Sequence, residues 1–247
     1  MKTDLSQIAT RPPKDYDKDE TKSQLKKIIA ELDDLQNLLY AEGKHSILVI
    51  IQGMDASGKD GAIKNVFGQL NPQGVKVQSF KAPTSVELAH DFLWRIHKHS
   101  PEKGMIQIFN RSHYEDVLIT RVHGLVDDKT AEKRFKAIND FEQLLKEHNN
   151  TKILKFYLHV SQEEQHERLQ ERMEDPQKHW KYNPNDMKES ERWNDYMKVY
   201  HECFEQCNHI SWTIIPADEN RYKELLIAET LLETLKSLDM KYPDLKQ

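Results

Sequence analysis

The chain has 247 residues, 37% hydrophobic and 31% charged, with a formal net charge of -5, a balance that suits a soluble body with a highly solvated surface and excludes a membrane-embedded or disordered chain. The acidic excess argues against a generic nucleic-acid binder, so any polyanion must be met by a concentrated site. Two cysteines, Cys203 and Cys207, cannot build a disulfide framework and point to a reducing cytoplasm.

Residues 1–20 lack the apolar core of a secretory signal and carry acidic residues that a transit peptide avoids, so they read as a polar arm. From about 21 to 41, Leu25, Ile28, Ile29, Leu32, Leu35, Leu38 and Leu39 recur at helical spacing, predicting an amphipathic helix that covers a core or a partner. Five short β-prone runs follow, SILVIIQ (46–52), VKVQS (75–79), MIQIF (105–109), KILKFYLHV (152–160) and WTIIP (212–216), separated by helical patterns. The first is apolar throughout, and the segments between are long enough for crossover helices. That combination predicts an α/β fold of three layers, with a central parallel sheet and helices on both faces. No repeat or linker divides it, so one domain is expected over 1–247. No apolar stretch is long enough to span a bilayer.

The first run breaks into GMDASGKDG. Gly53, four residues, then Gly58 and Lys59 is the spacing of a loop whose amides cradle phosphate at a helix N-terminus, with the lysine adding a full charge. Asp60 stands where Ser or Thr is usual. Together with Asp55 it puts two carboxylates into an anion site, which implies a magnesium ion between acids and phosphate. After the second run, Lys81 and Thr84 lie in a turn before a helix capped by Thr84 or Ser85 with Glu87 behind, leaving Lys81 free for a phosphate of a second substrate.

The third run leads into NRSHYEDVLITRVH (110–123), and strand ends are where α/β folds place ligand-contacting residues. Arg111 suits bidentate phosphate binding, and Glu115, Asp116 and Arg121 follow within a turn or two. His113 and Tyr114 read as packing or hydrogen-bonding residues. Further on, Arg168 and Arg172 share one helical face and lead into 175–192, which has two prolines, no apolar period, and Lys178 and Lys181. These arginines have Glu164 and Glu171 as ready partners; the segment after them reads as a long loop or helical excursion of the kind used as a lid. Cys203 and Cys207, four apart beside His201 and His209, match no structural zinc motif and read as core packing. No H-R-D loop or G-x-G-x-x-G cover is present, which excludes a protein kinase. No general base is evident, and none is needed where the acceptor is itself an ionised phosphate.

Taken together, GMDASGKDG, SFKAPT, FNRSHYEDVLITRVH and RLQERMEDPQKHWKY resemble the polyphosphate kinase 2 family, in order from about Leu25 to Tyr242. FNRSHYED, in place of the commoner FDRSWYN, is similar to the subgroup that phosphorylates both AMP and ADP (class III-like). The resemblance implies the P-loop kinase fold, related to thymidylate kinase, with a lid about 175–190. It also implies reversible transfer of the terminal phosphate of inorganic polyphosphate to AMP or ADP, giving ADP and ATP, with magnesium or manganese as its substitute. Carried over, the polyphosphate would be gripped by Gly53, Ala56, Ser57, Gly58, Lys59 and Gly61, with Lys64, Lys81, Arg168, Arg172 and Lys181 around them. Asp55 and Asp60 would hold the metal, Arg111 and Arg121 would bracket the transferred phosphate, and Glu115 and Asp116 would organise metal or acceptor. The nucleotide would meet Lys81, Pro83, Thr84, Asn110, Arg111, His113, Glu115 and Arg121. No nucleic acid or membrane is expected as a partner; a homotetramer is implied. An ATP-dependent nucleoside monophosphate kinase is the alternative, since the same loop and lid would serve ATP, but Lys81 and the second loop acid weigh against it. A phosphate-binding regulator without turnover would need neither two loop carboxylates nor a basic lid.

Overall fold

The computed structural model describes residues 4–245; the first three residues of the arm expected over 1–20 lie outside the described residues. In the rest of the arm a 3-10 turn, Leu5–Gln7, buries Leu5, and Thr10 Oγ1 donates to Asp218 Oδ2 at 2.8 Å, so this segment is tied to the body. The helices are α1 (Lys18–Glu42), α2 (Lys59–Ala62), α3 (Ser85–Leu88), α4 (Trp94–His97), α5 (Ile119–Val122), α6 (Asp128–His148), α7 (Gln162–Glu174), α8 (Pro184–Ser190), α9 (Trp193–Gln206) and α10 (Asn220–Lys236). The strands are β1 (Ser46–Gly53), β2 (Val75–Ser79), β3 (Ile106–Asn110), β4 (Thr151–His159) and β5 (Trp212–Pro216), each within a residue of an expected run.

Helix α1 starts at Asp17, whose carboxylate accepts from the amides of Asp19 and Glu20, and stops at Gly43, whose φ of 64° is the left-handed conformation that glycine adopts without strain. It buries Leu25, Ile28, Ile29, Leu32 and Leu39, the stripe read from the sequence, against α10. The sheet is parallel throughout, in the order β2-β3-β1-β4-β5. Central β1 has Val49 opposite Ile108 of β3 and Leu154 of β4 and is buried along its whole length, which is why its sequence shows no polar alternation. Edge strand β2 leaves Lys76 and Val77 exposed.

Both faces are covered. On one face, Lys155 of β4 meets Glu142 of α6, and the Tyr157 ring lies against Tyr200 and Phe204 of α9. On the other, α10 packs on α1, α2, β4 and β5. The chain leaves β1 for the β2 edge and β4 for the β5 edge, so the connections diverge beside β1 and open a crevice at the carboxyl ends of the strands. Among the described residues no helix is long and apolar enough to cross a membrane. Cys203 and Cys207 are buried and form no disulfide, and no cluster of three or more His, Cys, Asp or Glu side chains forms a metal cage among the described residues.

Candidate active site

The loop after β1 is shaped by its glycines and by what holds its carbonyls. A Cβ on Gly53 would sit 2.7 Å from Ser57 Oγ and 2.9 Å from the Leu158 carbonyl, so only glycine lets the loop press against β4. Gly58 has φ of 89°, and a Cβ there would run into Lys223 Nζ. Successive loop carbonyls are each taken by a donor: Gly53 and Met54 by Lys59 Nζ (2.8 and 3.0 Å), Asp55 by Gln165 Nε2 (3.0 Å), Ala56 by Arg168 Nη1 (3.0 Å), and Ser57 by Lys223 Nζ (3.1 Å). With its carbonyls drawn back, the loop is arranged to offer amides to an anion.

The loop floors a cavity of about 810 Å³. Cations reach it from several elements: Lys59 on α2, Lys81 after β2, Arg111 after β3, Arg168 and Arg172 on α7, and Lys178 and Lys181 beyond it. Carboxylates of Asp55, Asp60, Glu171, Asp186 and Glu224 alternate with them. Several are paired in this state: Arg172 with Asp186 at 2.9 Å, and Lys178 with Glu171. Trp180, 78% exposed, and Tyr182 face the cavity from the segment expected to be a lid, with Lys181 Nζ 5.0 Å from the Trp180 ring centre. That segment holds a short 3-10 turn, His179–Lys181, followed by α8.

Arg111 is the hinge between loop and strand end. Its backbone has φ of 62°, an uncommon conformation for a side-chain-bearing residue that turns the chain out of the sheet. Its guanidinium bonds Asp55 at 2.5 Å and Glu115 at 3.3 Å. Burial works to raise the Asp55 carboxyl, but the Arg111, Lys59 and Arg172 cations prevail and hold it below the usual carboxylate range. Burial, with Arg111 alongside, pushes the Lys59 ammonium down to about 8 against the pull of Asp55, Glu115 and Asp60.

Most of the expected site residues converge on the cavity: Asp55, Ala56, Gly58, Lys59, Asp60, Gly61, Lys81, Asn110, Arg111, Arg168, Arg172 and Lys181 line it. Gly53 and Glu115 border a second, much smaller cleft of about 20 Å³ on the far side of the Asp55–Arg111 pair, with Glu189 and Tyr196. Ser57 is buried beneath the loop. Arg121 is not brought to the loop: its guanidinium is held by Asp128 at 2.6 Å and Glu202 at 2.7 Å, because α5 turns it toward α6 and α9. His113 is buried against Glu142 at 3.3 Å. Asp116 lies between Arg95 and Arg134 (3.8 and 3.6 Å), and burial pushes its carboxyl up to about 6. Thr84 forms a capping box with Glu87, and Pro83 and Lys64 are exposed outside the cavity lining. Arg168 faces the cavity, but its N–H groups already serve Glu164, Ala56, Ala217 and Asp218. It therefore braces the loop rather than offering a free fork.

Sequence reasoning missed Gln165, Asn220, Lys223 and Glu224. They lie more than a hundred positions from the loop, on ordinary-looking amphipathic helices, and no spacing signal marks them. The donor set fits a hard divalent ion. Asp60 is exposed, and one of its oxygens accepts from Asn110 Nδ2 at 2.7 Å, a neutral partner, while Asp55 is kept ionised. Two carboxylates suffice for magnesium, which retains waters and takes its remaining oxygens from phosphate.

The Polyphosphate kinase 2 (PPK2) family model matches residues 15–243. The chain is 48% identical to an AMP/ADP-polyphosphate phosphotransferase of Meiothermus ruber over 86% of its own length and 80% of that protein. It is 41% identical to an ADP-polyphosphate phosphotransferase of Rhodopseudomonas palustris, over 98% of this chain and 89% of the relative. Among solved structures, polyphosphate kinase 2 from Arthrobacter aurescens TC1 superposes with a TM-score of 0.95 at 41% identity, covering 99% of this chain and 89% of that one.

Proposed function

The chain belongs to the polyphosphate kinase 2 family, and we propose that it moves the terminal phosphoryl group of inorganic polyphosphate onto AMP and ADP, giving ADP and ATP, reversibly and with magnesium. The observation that carries this reading is the cavity lining: cations from four separate parts of the chain surround a phosphate loop that itself bears two carboxylates. A donor of uniform repeating charge is complementary to such a lining, and Asp60, whose hydrogen-bond partner is the neutral Asn110, leaves carboxylate oxygen for a divalent ion. Manganese, of similar ligand preference, would substitute.

The donor's end rests on the loop, and Lys59 turns from the Gly53 and Met54 carbonyls toward the arriving phosphate. Arg111, fixed on both sides by Asp55 and Glu115, meets the charge that develops on the transferred group. Magnesium, held by Asp55 and Asp60, would supply further neutralisation of the phosphate oxygens. Lys81 approaches from the β2 side to take the acceptor, whose phosphate oxygen is ionised and needs no base. Positioning and charge neutralisation then supply the catalysis. Arg172, Lys178 and Lys181 exchange their local acids for substrate as the 175–190 segment closes and excludes water.

The test is to incubate the purified protein with magnesium, long-chain polyphosphate and AMP, without ATP, and to follow nucleotides by chromatography. ADP followed by ATP is expected. Product from ADP alone would remove the dual-acceptor assignment, and product only when ATP is the donor would move the chain to the nucleoside monophosphate kinase reading.

A further inference from the structure

Lys223 lies on α10, fully buried, and its ammonium sits directly beneath the phosphate loop, 3.1 Å from the Ser57 carbonyl and 2.8 Å from Asn220 Oδ1. It occupies the space that a side chain at Gly58 would fill. No carboxylate forms an ion pair with it among the described residues; its hydrogen-bond partners are a carbonyl and an amide. The charged groups that face it are Arg168 and Glu164 of α7, Lys59 of α2 and Glu224 on its own helix, so as many cations as acids surround it. A buried ammonium without a carboxylate partner is costly, and a core helix position would ordinarily hold an apolar residue. Its natural counter-ion is an anion on the opposite side of the loop.

We propose that Lys223 is a second cation of the phosphate loop, a positioning residue that fixes the Ser57 carbonyl and lends its charge to the phosphate chain seated above Ser57 and Gly58. The inference rests on the polyphosphate reading and deepens it, since it gives the loop one lysine inside the cavity and one beneath it. Burial, with Arg168 beside it, pushes the free protein's Lys223 ammonium down to about 7. An arriving anion restores the proton, so capture of the chain is coupled to proton uptake at this residue.

Two variants separate charge from support: Lys223→Gln keeps an N–H for the Ser57 carbonyl and loses the charge, whereas Lys223→Met loses both. Binding of inorganic polyphosphate to the full chain is measured with magnesium from about pH 6.5 to about pH 8.5, beside thermal melting. Lys223→Gln is expected to melt cooperatively, with the wild type gaining on it as pH rises, and to bind about tenfold more weakly at the acid end. That gap should narrow toward the alkaline end, where the wild type sheds the same proton; titration of the ligand is common to both proteins and cancels. Equal binding at every pH, or a constant gap, overturns the proposal. Should neither variant fold, calorimetry of wild type and Lys223→Arg in buffers of different ionisation enthalpy decides, because arginine keeps a charge that does not titrate while Lys59 and the ligand titrate alike in both: smaller proton uptake by Lys223→Arg supports the proposal, and equal uptake overturns it. A wild type that does not bind polyphosphate removes the functional reading and this inference together, whereas a binding wild type with an indifferent Lys223→Gln removes this inference alone.

Discussion

In the proposed transfer, Lys59 is the residue on which the chemistry leans most directly. In the ligand-free loop its ammonium is held by two backbone carbonyls and flanked by Arg111. Lys59→Ala removes the counter-charge to the moving phosphoryl group and should lower turnover on the order of 10²-fold or more; a steady-state assay reads this, and near-normal turnover would remove the loop from the mechanism. The Asp60 side chain is exposed and, among the described residues, accepts a hydrogen bond only from Asn110, so Asp60→Asn should shift the magnesium titration of activity to higher concentration while leaving the melting temperature in place. Lys223 has a stability consequence with a definite sign. Its folded value of about 7 lies below the usual 10.5, so between these two values the unfolded chain holds a proton that the folded chain has lost. Stability from this residue therefore rises with pH across that window and is lowest below about 7. Urea denaturation of wild type and Lys223→Met across the window should show the wild type gaining relative to the variant as pH rises.

The elements around the site are aligned by a buried polar network rather than by apolar packing alone. Lys155 of β4 bonds Glu142 of α6, the Tyr114 hydroxyl and the Cys207 carbonyl, each at 2.9 Å, and Tyr114 donates to Glu142 at 2.6 Å. This clamps the 3-10 turn His113–Val117, and with it Glu115, whose carboxylate braces Arg111. Lys155→Met strands the Glu142 carboxylate in the core and should cost about 3–5 kcal/mol; Lys155→Met with Glu142→Gln should recover much of it, as measured by urea unfolding. The strands were legible because each is a short apolar or β-branched run, and α1 because its leucines repeat at helical spacing. The placement of the glycine-bounded loop and of Arg111 on the cavity was legible for the same reason: both lie within a few residues of a strand end. Lys155 and Lys223 were not, since a lysine in an amphipathic pattern looks like a solvated residue and only tertiary packing buries it. Arg121 was misplaced for a related cause. Sequence proximity to Arg111 suggested a shared site, but the turn through α5 sends its guanidinium to Asp128 and Glu202.

At the scale of the molecule, a net charge of -5 is combined with a cavity in which basic groups are concentrated, so capture of a polyanion relies on a local field against an unfavourable global one. Polyphosphate affinity should therefore fall steeply as salt is raised and the field is screened; an affinity indifferent to salt would contradict the cation-lined cavity. The layered sheet carries the loop, Arg111 and Lys81 on adjacent strand ends, while α7 and α10 hold the loop from behind through Gln165, Arg168 and Lys223. The homotetramer implied by the family is a separate expectation, tested by light scattering. In this reaction phosphoryl groups pass from the inorganic chain to the nucleotide. The most direct measurement supplies phosphorus-labelled polyphosphate with unlabelled AMP and magnesium, and compares label in nucleotide with shortening of the chain. Label should appear in ADP and then ATP, one phosphate for each unit lost from the chain; bound polyphosphate that never shortens, or nucleotide product without label, would rule out this transfer.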